Sequence, residues 1–263
     1  MPERVELTLA CFLAFIRGLV IPISRCLNTG ARVMKSDAIG IEMPRDFPTE
    51  AHNTLVRRLS PYQPSNPTVW SELAAGWNAV ATRFRSAADA DKTFTASISS
   101  PHALRSHEEL HRQNEALFTF FVNGYAALES FTYAVFSMGA LLRPSSFPMD
   151  TPAHFRAITP KATQTRFAAH FPNTSIEARL TAMLVDPKFE RWGLIRNVLA
   201  HRAVPARHHH MRVGSSSLDT TDWEILDGIA LNAQTTASER PWLATTLTDS
   251  VVATPDFATV NFS

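Results

Sequence analysis

The residue types best suited to chemistry lie near residue 200, in the segment RNVLAH that contains Arg196, Asn197 and His201. Histidine is the side chain whose ordinary pKa lies near neutrality, so His201 can accept and return a proton at neutral pH. Arg196 offers a planar charged fork that can stabilise negative charge developing on a phosphate group. Asn197 can hold His201 or the phosphate by a hydrogen bond. Together these residue types indicate acid–base chemistry at a phosphate.

A second candidate is the sequence HEELH, a literal match to the zinc-peptidase motif, at His107, Glu108 and His111. On a helix the two histidines share a face and could bind Zn²⁺, with Glu108 as general base and Glu129 as third ligand. On one unbroken helix, however, the 18 residues from His111 to Glu129 span about 27 Å, too far for shared coordination. The alternative is a solvated first turn, which acidic residues favour. We therefore expect no metal and no other cofactor.

Positive charge is concentrated around Arg196, although the formal net charge of the chain is only +1. Against one acidic residue, Glu190, the segment 188–212 carries six basic residues: Lys188, Arg191, Arg196, Arg202, Arg207 and Arg212. Phosphate binding needs such a local surplus. The alternative is a solvated basic helix end, which the helix dipole also favours. The adjacent His208, His209 and His210 are predicted to lie in a loop, because contiguous side chains cannot all point at one ion.

A helix is predicted to position these residues, over residues 187–202. The dipeptide DP at 186–187 is a typical helix start, and Pro205 ends the helix because it pushes the preceding residue out of the α region. Apolar residues at helical spacing anchor one side to a core; they are Phe189, Trp192, Ile195 and Leu199. Asn197 and His201, four residues apart, then share a face of the helix.

The rest of the chain is predicted to be all-α, as a helical bundle. A long helix is predicted at 106–142 and is apolar on all sides from residue 116; it is long enough to span a bilayer, but its polar residues favour a bundle core. The other predicted helices are 69–84, 153–158, 162–170, 176–185, 223–233 and 242–252, with loops at 94–101 and 206–217. No convincing run of alternating strand residues is present.

Four regions are predicted along the chain: an apolar segment at 1–33, a Pro-rich lead-in at 34–67 with a short helix near 51–59, the bundle at 68–253, and a tail at 254–263. The apolar residues 7–23 leave four interpretations open. They are a signal peptide, a membrane-associated helix, a helix packed on the body, and sequence upstream of a true start at Met34. In a membrane span, Arg17 would cost about 2.5–3.5 kcal/mol.

Composition excludes several classes of protein. The 263 residues include 9 Gly, and neither GxGxxG nor GxxxxGK[ST] is present, which excludes the usual dinucleotide and phosphate loops. The near-neutral charge excludes a globally basic coat for nucleic acid. The two cysteines, Cys11 and Cys26, cannot form a disulfide framework, so we expect a reduced, cytoplasmic protein.

Taken with its helix, the segment around residue 196 resembles the HEPN family, whose helical domains carry an Arg-polar-x-x-x-His motif near the end of a helix. The match is Arg196, Asn197 and His201, supported by Trp192, Leu199 and Arg202 in the same helix. The segment ALESF at 127–131 is similar to the long helix that precedes the motif helix in that family. The resemblance covers residues 105–210.

This resemblance implies an endoribonuclease that needs no metal, or an RNA-binding relative, in the style of defence or toxin modules. In such families two protomers bring their motifs together across a two-fold axis. His201 would act as general acid and base, Arg196 would stabilise the phosphate, Asn197 would orient, and Glu129 or Ser130 would support Arg196. The expected products are a 2′,3′-cyclic phosphate and a 5′-hydroxyl.

The partners implied are RNA, a second copy of the chain, and an antitoxin or effector protein. Arg191, Arg207 and Arg212 are the predicted RNA contacts, and Arg202 is predicted to support the catalytic residues. Another class of function stays open: a non-catalytic helical binding or scaffold protein, tethered to a membrane through residues 7–23, in which Arg196 pairs internally with an acid such as Glu129. The zinc peptidase is a third and more distant alternative.

Overall fold

A computed structural model of the chain describes residues 35–36, 39–63, 66–98, 106–201, 205–211, 218–226 and 229–262. The chain divides into two units, Met1–Arg32 and Val33–Ser263, and every described residue belongs to the second unit. The apolar segment predicted at 7–23 lies outside the described residues, as do both cysteines. The four interpretations of that segment therefore stay open.

The described part of the chain is predominantly α-helical, as the sequence predicts, with one small three-stranded sheet. In chain order its elements are α1 (Thr49–Leu59), a 3₁₀ turn (Ser60–Tyr62), α2 (Pro67–Ile98), α3 (His107–Leu142), α4 (Pro152–Ala157), α5 (Pro160–His170), α6 (Ser175–Val185), α7 (Pro187–His201), β1 (Ala206–Met211), β2 (Leu218–Leu226), β3 (Ile229–Asn232) and α8 (Thr235–Asn261). No helix among these combines the length and the apolar character that a membrane span requires.

The long helices α2 and α3 pack along each other at the centre of the bundle. A capping box starts α3: Ser106 Oγ accepts the N–H of Glu109, and the Glu109 carboxylate accepts the N–H of Ser106. Beyond residue 116, α3 is contacted by α2, α5, α7 and α8, and most of its side chains are buried. An apolar surface on all sides of a helix is stable when neighbours cover it, so this run is the core of the bundle.

The segment after α7 corrects the sequence prediction. A loop is predicted at 206–217 and a helix at 223–233, but β1, β2 and β3 form an antiparallel sheet in that order. In β2, Trp223 and Ile225 are buried while Glu224 between them is exposed, which is the alternation of a half-buried strand. The predicted helix at 223–233 is wrong because so few apolar residues fit the spacing of a helix and that of a strand about equally well.

Two helices are longer than predicted. The sequence predicts a loop from residue 94, yet α2 continues to Ile98, and α8 extends well beyond the predicted 242–252 at both ends. Pro241 and Pro255 lie inside α8, and proline normally interrupts a helix. Buried side chains on both sides of each proline, such as Leu243 and Phe257, hold α8 against the bundle. Tertiary packing therefore overrides the local signal.

Arg240 connects α8 to two other segments. Its Nε and Nη2 donate to the two carboxylate oxygens of Asp46, each at 2.9 Å, and its Nη1 donates to Asp91 Oδ2 at 3.0 Å. Only 18% of the Arg240 side chain is exposed. Burial lowers the pKa of its guanidinium, but the hydrogen bonds and charges of the two aspartates outweigh burial, so the pKa of Arg240 is raised.

Candidate functional site

Helix α7 carries the candidate residues, and Asp186 fixes where it begins. Asp186 Oδ1 accepts the N–H of Lys188 at 2.9 Å, and its Oδ2 accepts Nε1 of Trp242 at 2.8 Å. One carboxylate thus supports the first turn of α7 and joins it to α8. The buried face of α7 carries Phe189, Trp192, Ile195 and Val198, and its exposed positions are Pro187, Glu190, Leu194, Asn197 and His201.

Close packing between α3 and α7 depends on glycine at two positions. A Cβ at Gly124 would overlap Cζ3 of Trp192, so the indole ring occupies the space that a side chain would fill. A Cβ at Gly193 would lie 3.1 Å from the phenol oxygen of Tyr125. Trp192 is fully buried, and its Nε1 donates to Glu239 at 3.1 Å. These contacts hold α7 at a fixed position on α3.

Arg196 lies between an acid on α3 and an amide on its own helix. Its Nη2 donates to both carboxylate oxygens of Glu129, at 2.7 and 3.0 Å, and its Nη1 donates to Asn197 Oδ1 at 2.9 Å. The side chain is 25% exposed, and that of Glu129 is 35% exposed. No described residue accepts a hydrogen bond from Nε of Arg196. The guanidinium is therefore held on one side while donors remain for another acceptor.

Tyr125 forms the wall beneath Arg196. The guanidinium carbon of Arg196 lies 5.4 Å from the centre of the Tyr125 ring, within range of a cation–π contact. Burial raises the pKa of the Tyr125 phenol, and the nearby Glu129 carboxylate raises it further, while Arg196 lowers it. The phenol therefore stays protonated at neutral pH and can act only as a neutral neighbour of the ion pair.

His201 is the last residue of α7, and its side chain is exposed. None of the described residues forms a hydrogen bond with its imidazole. Asn197, one turn earlier on the same face, is also exposed, and its Oδ1 is already directed at Arg196. Its Nδ2 group is thus the part of the amide left for a ligand. The end of α7 presents a guanidinium, an amide N–H and an imidazole, groups that can hold an anion and exchange a proton with it.

Two of the predicted RNA contacts have partners within the protein. Arg191 donates to Glu239 Oε1 at 3.0 Å. Arg207 donates to the carbonyl of Leu110 at 3.0 Å and to Asn114 Oδ1 at 2.7 Å, and its guanidinium lies 4.9 Å from the centre of the Trp223 ring. Both arginines therefore have partners within the protein, and 40% of the Arg191 side chain is exposed.

The remaining predicted residues are dispersed. Ser130 lines a pocket beside Glu129 rather than contacting Arg196. Arg202 and Arg212 lie outside the described residues. His208 is on β1, where its Nε2 is 3.2 Å from Glu224 Oε2 on β2.

The HEELH segment forms the first turn and a half of α3. His107, Glu108 and His111 are exposed, and Arg112 pairs with Glu108 at 3.5 Å. Glu129 lies on the same unbroken helix, and the 18-residue separation from His111 again gives about 27 Å. Across the described ranges, no group of three His, Cys, Asp or Glu side chains is positioned to hold a metal ion.

Sequence reasoning did not find the contribution of Glu239. This carboxylate is 4% exposed and binds Trp192 as well as Arg191 and Lys188. Its position three residues before the predicted helix at 242 gave no signal. Comparison with protein-family models, with curated proteins and with solved structures finds no match for this chain.

Proposed function

We propose that the exposed end of α7 is the RNA-cleaving site of a HEPN-like protein that acts without a metal. The proposal rests on one observation: Arg196 and Asn197 are hydrogen-bonded to each other beside the exposed His201. A phosphodiester requires donors for its oxygens and a group that exchanges protons near neutral pH. Those groups are close together on one helix end.

In this mechanism His201 accepts the proton of a ribose 2′-hydroxyl, and the 2′-oxygen attacks the adjacent phosphorus. The bond from phosphorus to the 5′-oxygen breaks, and the leaving oxygen takes a proton. The products are a 2′,3′-cyclic phosphate and a 5′-hydroxyl. Arg196 donates to the phosphate oxygens as negative charge develops, and Asn197 orients the phosphate through Nδ2.

Glu129 serves as a positioning residue in this mechanism. Both of its oxygens accept from the same nitrogen, Nη2 of Arg196, which fixes the plane of the guanidinium. The Nε and the second proton of Nη1 are then the donors that meet the phosphate. Fixing the guanidinium in advance reduces the entropy lost when RNA binds.

The site is completed by a second copy of the chain. One imidazole has to remove a proton and another group has to supply one, so two α7 ends facing across a two-fold axis would provide both. The exposed face of α7 includes Leu194, which is 46% exposed beside the candidate residues. We expect a dimer in sedimentation, and we expect Leu194→Glu to produce a monomer that no longer cleaves RNA. A wild-type monomer with full activity would contradict this assembly.

Cleavage of a labelled RNA in excess EDTA tests the assignment. Wild-type protein is expected to cleave, and His201→Ala is expected to lose at least about 100-fold in rate because the acid–base group is gone. His111→Ala removes another exposed histidine, on α3, and is expected to cleave like the wild type. Equal rates for His201→Ala and the wild type would overturn the assignment.

The second candidate function is a non-catalytic helical binding or scaffold protein. It is favoured by the internal ion pairs of Arg196 with Glu129 and of Arg191 with Glu239. In that case Arg196 would stabilise the packing of α7 on α3, and no RNA would be turned over. Absence of cleavage over a panel of structured and unstructured RNAs would favour this alternative.

A further inference from the structure

A pocket of about 270 Å³ opens between α2, α3 and the start of α5. Its polar lining includes Arg83, Glu129, Ser130 and Thr159, and its apolar lining includes Ala126 and Ile158. No residue of α7 lines it, so it is distinct from the surface that carries Asn197 and His201. Glu129 belongs to both places, because its carboxylate also holds Arg196.

Arg83 is the residue that gives this pocket its charge. It is partly buried on α2, and none of the described carboxylates pairs with it. A cation that is partly removed from water without a counter-ion is unfavourable, so a ligand that supplies negative charge would stabilise it. The other charged lining residue, Glu129, is already neutralised by Arg196 at 2.7 Å. Of the two charged side chains that line the pocket, Arg83 is the one without an ion pair among the described residues; the carboxylate of Glu72, which accepts the hydroxyl of the lining Tyr133, lies outside the lining.

Two hydroxyl groups of the lining can donate to the same ligand. Thr159 Oγ1 accepts the N–H of Ala162 at 3.1 Å, so its own proton is free to point elsewhere. Ser130 forms no hydrogen bond within the described chain, and its hydroxyl can rotate toward a ligand. The donors of Arg83, Ser130 and Thr159 suit an acceptor group with several oxygens, as a phosphate has. The apolar lining suits a small carbon skeleton, since the volume lies just below the usual range for ligand pockets.

We propose that this pocket binds a small phosphorylated molecule, with its phosphate on Arg83, Ser130 and Thr159. A guanidinium also binds a carboxylate in a similar geometry, so the two chemistries are separated by experiment. The binding does not depend on RNA cleavage at α7. It can therefore be measured whether or not the protein is a nuclease.

The test is a titration of the full-length protein with inorganic phosphate, ribose 5-phosphate, ribose and acetate at constant ionic strength. Binding is measured by calorimetry and by the shift in thermal unfolding. We expect saturable binding of phosphate and tighter binding of ribose 5-phosphate, with none for ribose. Arg83→Gln is expected to weaken binding at least about tenfold, the loss typical of a charge-assisted contact. Arg112→Gln, which removes an exposed arginine from the first part of α3, is the matched control and is expected to bind like the wild type.

Three results would overturn the proposal: no saturable binding of either phosphate compound, equal affinity in wild type and Arg83→Gln, or acetate binding as tightly as phosphate. Ser130→Ala is a second variant that keeps the charge of the pocket, in case Arg83→Gln fails to fold. It is expected to weaken ribose 5-phosphate binding several-fold, because one hydrogen bond is lost. Unchanged affinity in Ser130→Ala would contradict the proposed contact between the Ser130 hydroxyl and the ligand.

Discussion

Arg240 and Arg196 both bind carboxylates, yet their surroundings differ. Arg240 uses Nε, Nη1 and Nη2 on two aspartates, and it joins α8 to α2 and to the segment before α1. Arg196 uses Nη2 on Glu129 and Nη1 on Asn197. Its Nε has no acceptor among the described residues. Every nitrogen of the first guanidinium donates to a carboxylate, whereas the second guanidinium is held through two of its three nitrogens.

This difference separates a structural ion pair from one that can also bind a ligand. A guanidinium whose three nitrogens all donate to carboxylates, on a side chain that is only 18% exposed, is poorly placed to bind a phosphate. One that is fixed from a single side keeps its charge and part of its fork available. The presence of an ion pair therefore does not decide the role of an arginine. The donors that remain, and the exposed His201 beside Arg196, favour the functional role.

The largest effect on stability is expected for Arg240→Ala. It leaves the mostly buried Asp91 and the partly buried Asp46 without a cation, and we expect a loss of about 3 kcal/mol in the free energy of unfolding. Urea unfolding followed by circular dichroism measures it. The control is Arg179→Ala, which removes an exposed pair with Asp249 and should cost less than about 1 kcal/mol. Equal losses for the two variants would contradict the structural role of Arg240.

Arg196→Gln is expected to lose little stability and much of the RNA-cleaving activity. The pair with Glu129 is partly exposed, so its loss should cost less than about 1 kcal/mol in stability. The rate of RNA cleavage should fall about 100-fold or more, because a preorganised donor to the phosphate is removed. Urea unfolding and initial cleavage rates measure the two effects on one preparation. A stability loss as large as that of Arg240→Ala with an unchanged rate would place Arg196 with the structural arginines.

Gly124→Ala tests the packing that positions α7. Its new Cβ would meet the buried Trp192 ring, and we expect a net loss of about 1–3 kcal/mol from overpacking. Gly193→Ala should be milder, because its new methyl group meets only the end of the Tyr125 side chain, which can shift. Thermal unfolding compares the two. A neutral Gly124→Ala would show that α3 and α7 can separate without cost.

The smallest effect concerns Tyr125 and alkaline pH. Because its folded pKa is raised above the ordinary value of about 10, the unfolded chain releases this proton at lower pH than the folded chain. The resulting stabilisation is fully present below about pH 10 and is lost as pH rises through the folded pKa. Tyr125→Phe is therefore expected to lose stability less steeply with rising pH. Urea unfolding at a series of alkaline pH values measures the slope, and identical slopes would contradict the raised pKa.

Helix α7 could be predicted from the sequence because its signals are local. The DP start, the apolar anchors and Pro205 all lie within the helix or next to it, and the described helix, Pro187–His201, begins at the predicted residue and follows the prediction to His201. The long helix α3 was predicted for the same reason. The sheet was missed because three short strands carry too few residues to define a period, and β2 pairs with both neighbours through contacts that no local pattern encodes.

The candidate site could be predicted only in part. Arg196, Asn197 and His201 follow from the segment itself, but the contact of Arg196 with Glu129 joins residues 67 positions apart and depends on how α3 and α7 pack. The internal partners of Arg191 and Arg207 are also far away in sequence, at separations of 48 and of 93 and 97 positions. Nothing local distinguishes Arg83 from the other 20 arginines. The pocket that it lines exists only once α2, α3 and α5 have come together.

The most direct test of the proposed chemistry uses two strands of the same sequence, one made with ribose and one with 2′-deoxyribose. Each strand is incubated with the wild-type protein in EDTA. We predict that the RNA is cut to a 2′,3′-cyclic phosphate and a 5′-hydroxyl, and that the deoxy strand stays intact because it lacks the attacking hydroxyl. Cutting of both strands, or of neither, would contradict attack by the 2′-hydroxyl at the end of α7.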